Sequence, residues 1–446
     1  IFILDQPFNI NHVGALLTNS KRFNEYFKFH NYQMNNSNEK FNIRVRPRAN
    51  KQFINKDTHT NTALYLDGMF NVSDLTFVNE IELDKKFKYD NKFHGNTHKW
   101  VMGYFTSSYC LYENNGLEIF AGRISRNFGT LNDYSLIFSN NPFAFDHYGF
   151  SANGKKIKYS FYFTRLNNLD GVDLQGSIIP VDTTANSNRY WAIQRLNFKI
   201  NNQFHISLTE ATIYGGPNQG FVAAYLNPVH FFYAAQSNQR IQMNAFWQIA
   251  LFYKTNTGFG IYLDFLVDDI IVNINNGPGI NDRLQHPDRM GIMIKLSNAS
   301  LSNQTLISLR YVRIWNETYT SFRSYENYTF HNKGIGFPEN SYESIKYSVN
   351  YLRYIPLFIR GELEIWRKGD RSLSSPFHDE LNAFPAGPVT QGLTINGNIS
   401  YLYYSGIKIL FDYSFTHQPS DWSRSRKTES NYNVKLSVEY YINLSL

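Results

Sequence analysis

Three carboxylates, Asp264, Asp268 and Asp269, fall within one short segment and raise the question of acid–base chemistry. Glycoside hydrolysis needs two carboxyl groups facing a shared sugar, and on a strand only Asp264 and Asp268 point the same way. The alternative is an interior ion-pair network with arginines such as Arg289 or Arg310, since buried carboxylates are normally paired. That network is the reading adopted here, so no catalytic residue is assigned. The acidic stretch 268–282 lacks the spaced oxygens and closing glutamate of a calcium loop. His94 and His98 would share a metal only on a helix, and the sequence around them reads as a turn. No metal and no cofactor is expected. Gly215-Gly216-Pro217 is not followed by the lysine and helix of a phosphate loop, and no Gly-x-Ser-x-Gly elbow is present.

Binding chemistry is better represented. Arg44, Arg46 and Arg48 alternate along one face of a strand, a stripe able to hold uronic acids or phosphates through bidentate bonds. The competing reading pairs them with acidic residues on neighbouring strands, and Arg123 and Arg126 divide in the same way. Trp315, Tyr319, Phe322, Tyr325, Tyr328 and Phe330 form a dense aromatic group. Their flat rings suit the apolar faces of sugars, or equally a membrane-interface girdle. Tyr225 joins the candidate contacts from the segment 215–238, whose aromatic content exceeds that of a solvated loop and predicts a packed element plugging a pore.

These side chains need strands to present them. Asn433 to Leu446 alternates without interruption, with Val434, Leu436, Val438, Tyr440, Ile442, Leu444 and Leu446 on one face and polar residues on most of the other. Strands of about 10 tilted residues cross a bilayer, and only a closed sheet leaves no unpaired edge in lipid. Similar dyads run through 156–163, 195–208, 259–268, 345–351, 357–365 and 407–415, with tight turns at Asn201-Asn202 and around Gly406. Sixteen to eighteen such segments follow Phe41, and even counts are the rule for single-chain bacterial barrels. The expected fold is therefore an all-β transmembrane antiparallel barrel of 18 strands over residues 41–446. Apolar residues at three- and four-residue steps between Asn9 and Phe29 predict a short periplasmic helical segment within residues 1–40.

Composition agrees. Phe 37, Tyr 32 and Trp 6 make 17% of the 446 residues, enough for two interfacial girdles. Mean hydropathy is nonetheless −0.41, and no run reaches the roughly 18 apolar residues of a membrane helix. The net charge of +7 is scattered rather than clustered, which argues against nucleic acid and allows contact with lipopolysaccharide. One cysteine, Cys110, excludes an internal disulfide. Ile1–Asp5 is too short for the apolar core of a signal peptide, so the chain reads as a mature or trimmed form.

Three runs carry a resemblance. Gly122-Arg-Ile-Ser-Arg-Asn-Phe-Gly129 is followed by Ser135–Ser139 and Asn141-Pro-Phe-Ala-Phe-Asp146. Thr209-Glu-Ala-Thr-Ile-Tyr-Gly-Gly216 is followed by Tyr225-Leu-Asn-Pro228. Asp264-Phe-Leu-Val-Asp-Asp269 precedes Pro287-Asp-Arg-Met-Gly291. In order and spacing these are similar to the capsule-assembly, Wzi-like outer-membrane barrels, in a style that resembles Bacteroidota members. The resemblance implies an eighteen-stranded outer-membrane barrel with a small periplasmic helical element, not an enzyme. It also implies a role in holding capsular or extracellular polysaccharide through the outer loops. Two other roles stand beside it: an accessory or scaffolding subunit that meets other outer-membrane or periplasmic proteins, and a closed or narrow porin-like channel.

Overall fold

The computed structural model describes residues 41–445, apart from 56, 89, 91–92, 96–101, 131, 169–186, 228, 235–242, 270–287, 303–304, 354–356, 376, 379–382, 404–405 and 420–427. The predicted N-terminal helical segment therefore lies outside the described residues. Eighteen antiparallel strands close into a barrel, each hydrogen-bonded to its neighbours in chain order. The first strand, Phe41–Ile54, pairs with the second, Asp57–Val72, and with the last, Glu429–Tyr440, which continues as Ile442–Ser445. The interruption has a simple cause. Arg48 opposes Glu439 and Val45 opposes Ile442, an unchanged register that places Pro47 opposite Tyr440. Proline has no N–H to give the ladder.

Eight connections of two to four residues, such as those after Val72, Lys199 and Tyr403, lie at one end of the barrel. Phe41 and Ser445 lie at that end too. Except for the turn after Ile54, connections at the opposite end run from 10 to 27 residues. Short periplasmic turns and long outer loops orient the barrel, with the long loops outside the cell.

Register sorts the two faces. Cross-strand partners share a face, so the pairs Ile345 with Ile365, Leu363 with Ile395 and Tyr413 with Val434 mark the outer wall. Exposed Ile365, Leu436 and Leu444 belong to the same apolar surface. The inner face carries Arg44, Asp67, Glu364, Asp412, Lys435 and Glu439. Among the described residues no helix is long and apolar enough to cross a membrane; the strands do that work.

The lumen is not empty. Loops 125–144 and 315–341 turn inward and place Phe128, Leu136, Phe138, Tyr319, Tyr328 and Ile335 against inward-facing Trp191, Ile193, Ile213, Phe246, Met293 and Val312. This plug fills one side of the barrel. Its membership corrects a sequence expectation, because the aromatic segment 215–238 does not plug the pore. Tyr225 and Phe232 pack on Tyr190, Ala192, Tyr214 and Met243, which point outward from the wall.

Candidate functional site

The arginine stripe is an interior ladder. Asp67 accepts from Arg44 Nε at 2.5 Å and Arg46 Nε at 2.8 Å, while Glu439 accepts from Arg46 at 3.1 Å and Arg48 at 2.5 Å. The guanidinium groups of Arg46 and Arg48 lie 4.9 and 4.5 Å from the Tyr65 ring centroid, and Tyr65 donates to Glu82 at 2.7 Å. Three arginines thus share two carboxylates, and each guanidinium is engaged by at least one of them.

Asp264 and Asp268 both point inward but serve the plug separately. Asp264 is fully buried and accepts from Gln248 Nε2 at 2.6 Å, Tyr262 Oη at 2.9 Å and the Leu136 amide at 3.1 Å. Asp268 accepts from the Tyr319 amide at 2.7 Å and lies 3.5 Å from Arg289, which also pairs with Asp269 at 2.8 Å. Arg289 is thus the partner expected, whereas Arg310 serves Asp133 and Glu364 instead. Each aspartate anchors one inward loop by its backbone. Neither faces an open space.

The aromatic group divides. Tyr319, buried, donates to the Leu136 carbonyl at 2.6 Å, and Tyr328 accepts from Trp191 Nε1 at 3.0 Å. Tyr325 lies over Gly216, where a β-carbon would come within 3.4 Å of its ring. These rings hold the plug and present no surface to a sugar. Trp315 stays half-buried on the outer face at the loop end, with Arg313 4.9 Å over its ring and Phe384 tilted beside it at 6.4 Å, the position of an interfacial girdle. Arg123 also lies on the outer face near that rim, in a two-bond pair with Asp146 at 3.0 Å. Arg126 points inward, donates to His147 at 2.8 Å and stacks on Phe120 and Tyr162. The structure therefore does not bring Arg44, Arg46, Arg123, Arg126, Tyr225, Trp315, Tyr319 and Tyr325 together in one site.

Two contacts that the sequence did not single out lock the plug. Arg189, fully buried, donates to the carbonyls of Tyr325 at 2.8 Å, Asn327 at 2.6 Å and Thr329 at 3.0 Å. Asp133 receives Lys295 at 2.6 Å, Lys346 at 2.9 Å and Arg310 at 3.0 Å. Burial pushes the Asp133 carboxyl up, but the fields of Lys295, Lys346 and Arg310 overcome it and hold the group well below the usual carboxylate range. Nearer the outside, His331 stacks on His94 with centroids 4.0 Å apart. Burial, then His94 and Arg189, depresses His331 to about 4, so the stack is neutral at pH 7.

Between the plug and the facing strands lies a cavity of about 800 Å³, within the range of roughly 300–1,000 Å³ typical of ligand sites. It runs from Lys368 and Glu339 at the long-loop rim inward to Arg360, Glu362 and Asn396. Tyr134 and Trp366 supply flat rings on its lining. A second space of about 300 Å³ shares Arg360, Glu362 and Asn396 and continues to Asp412 and Lys435. Amides, paired charges and intermittent rings form a surface that hydrogen-bonds hydroxyls and stacks on pyranose faces. The inner-register charges Arg360, Glu362 and Glu364 were legible as a pattern. Their gathering around one space depends on where two distant loops fold.

A family model described as capsule assembly protein Wzi matches residues 26–276, more than half of the chain. No curated protein matches significantly. Among solved structures, Wzi of Escherichia coli is described as an outer-membrane, carbohydrate-binding β-barrel involved in group 1 capsule assembly. It superposes with a TM-score of 0.66 at 10% identity, over 100% of this chain and 94% of that one. Pseudomonas aeruginosa OccK10 (OpdN) gives 0.51 at 11% identity, over 91% of this chain and 100% of that one. The opdK outer-membrane protein of the same organism gives 0.51 at 9%, over 91% and 99%. At these identities the likeness concerns the fold.

Proposed function

This chain belongs to the capsule assembly protein Wzi family, and from that premise we propose that it is an outer-membrane barrel that binds capsular or extracellular polysaccharide and holds it at the cell surface. It does so without breaking bonds. The observation that carries this reading is the rim-to-interior cavity of about 800 Å³, polar yet punctuated by Tyr134 and Trp366, beside a lumen otherwise filled by the plug. Ion-paired charges such as Arg360 with Glu362 at 2.5 Å offer fixed donors and acceptors to hydroxyls rather than one unbalanced charge to a small ion. Asp264 and Asp268, the only same-face carboxylates of the acidic segment, are consumed by the plug, which favours holding over hydrolysis. The E. coli family member described as carbohydrate-binding supports the same substrate class.

The direct experiment titrates the purified barrel in detergent with polysaccharide extracted from the surface of the producing cells. Saturable binding is expected, weakened by Trp366→Ala. Absence of binding by the wild-type protein, with its circular dichroism intact, overturns the proposal.

A further inference from the structure

The outer wall carries a second layer. Beyond Pro217 the chain leaves the rim and folds back down the outside of the barrel, instead of rising into water or entering the lumen. Register fixes what lies beneath: Ile193 opposes Ala211 on the inner face, so Ala192, Gln194, Glu210, Tyr214, Met243 and Ala245 point outward. Tyr225 and Phe232, both fully buried, pack onto this sector, with the Tyr225 ring 4.3 Å from that of Tyr214. The His230 carbonyl accepts from Gln194 at 2.9 Å. Glu210 accepts from the Tyr233 amide and Trp247 Nε1 at 3.1 Å, and from Gln194 at 2.6 Å. A glutamate and a glutamine that would otherwise face the bilayer are thereby capped.

The far side of this flap is apolar and open. Val229 is 79% exposed, Phe231 72% and Tyr233 57%, with Phe221 and Leu226 exposed beside them. No Asp, Glu, Lys or Arg occurs between Asn218 and Ala234, whereas the outer connection 419–428 holds Asp421, Arg424, Arg426 and Lys427. The Tyr233 ring meets Trp247 at 5.3 Å. Trp247, Ile249 and Leu208 then continue the same exposed surface down the barrel wall.

We propose that the flap Asn218–Tyr233 is inserted in the membrane, its Val229–Phe231 edge immersed among lipid acyl chains as an added layer of the lipid-facing wall. Continuity with the wall names the occupant, because the surface beside Trp247 already faces acyl chains. The capped polar pair gives the reason: Glu210 and Gln194 are tolerable in an outward position only where protein covers them and hydrocarbon begins one layer further out. This inference is independent of the polysaccharide role.

Site-directed spin labelling tests it. In a Cys110→Ser background, Val229→Cys and Phe231→Cys are labelled singly and the full chain is placed in phosphatidylcholine–phosphatidylglycerol nanodiscs. Ile365→Cys on the bare wall is the lipid reference, and Thr257→Cys in a short turn is the water reference. The expected result is that both flap labels collide with oxygen more than with a soluble nickel chelate, as at Ile365. Nickel-dominated collisions, as at Thr257, would overturn the proposal by placing the edge in water. Weak collisions with both reagents would overturn it too, by showing a protein cover such as a second copy.

Discussion

The two halves of the lumen meet the same problem in opposite ways. On the side of the strands 145–314, inward residues such as Trp191, Ile193, Ile213, Phe246 and Val312 are apolar, and two loops fold in to cover them. On the side formed by strands 342–440 and 41–84, inward residues such as Arg46, Asp67, Glu362, Asp412 and Glu439 are charged. There the interior is held by cross-strand ion pairs and left open as a cavity. The difference teaches that loops can stand in for water against an inward face, which then turns largely apolar and keeps polar groups such as Arg189 and Asp264 where the plug bonds them. Where loops replace water, inward residues such as Trp191, Ile193 and Val312 make the wall apolar on both sides in places.

The contrast breaks most severely at Trp191→Ala. Trp191 is fully buried against Phe138 and Phe145 and donates to Tyr328. Emptying that site costs about 3–5 kcal/mol, read as a lower denaturation midpoint, with faster proteolysis of loops 125–144 and 315–341. A variant as stable as wild type would mean that the plug is not a core.

Asp133→Asn comes next, because it leaves Lys295, Lys346 and Arg310 facing one another across the boundary between the halves. Losing one member of a buried charge cluster costs about 3–5 kcal/mol, at the low end here because three neighbouring acceptors remain. The pH dependence carries its own sign. The folded-state affinity of Asp133 for protons is depressed, so its contribution is complete above the ordinary carboxylate range and fades as pH falls through the folded value. The variant should therefore lose stability at pH 7 and show a shallower acid decline than wild type in a melting series.

How much of this could be read beforehand depends on which half one reads. Ile345, Tyr347, Val349 and Tyr351 alternate cleanly with Lys346, Ser348 and Asn350, and they sit as the pattern demands, since one side meets lipid and the other an aqueous interior. The strand count followed from such dyads. In Tyr190-Trp191-Ala192-Ile193 the alternation vanishes because Trp191 and Ile193 meet the plug while Tyr190 and Ala192 lie under the outer flap. That loss of period was itself a signal of cover on both faces. What no pattern gave is which loop covers which face: 215–238 had the composition of a plug and lies outside, while 125–144, rich in small and polar residues, supplies Phe128, Leu136 and Phe138 to the interior. Of the site, charges were legible and partners mostly were not, since Arg310 chose Asp133 across a separation of 177 residues.

A smaller effect sharpens the open half. Trp366→Ala should weaken polysaccharide binding about tenfold, the equivalent of about 1.4 kcal/mol, without moving the melting temperature by more than a few degrees, because the ring lines the cavity rather than the plug. Isothermal titration and a thermal melt on the same sample separate the two. Equal losses of binding and stability would make Trp366 a packing residue. The smallest effect belongs at the rim: Arg123→Ala removes a pair whose aspartate is largely exposed, and less than about 1 kcal/mol should be lost.

Glu439 and its two arginines sit at the seam where the first and last strands meet, beside the gap that Pro47 leaves in the ladder. These partners, 391 and 393 positions apart in the chain, meet only because the first and last strands lie side by side. That clasp ties the two ends of the sheet together through side chains as well as backbone. A chain lacking it would keep the ladder on either side of Pro47 but lose the side-chain ties across the place where the backbone is least well knitted.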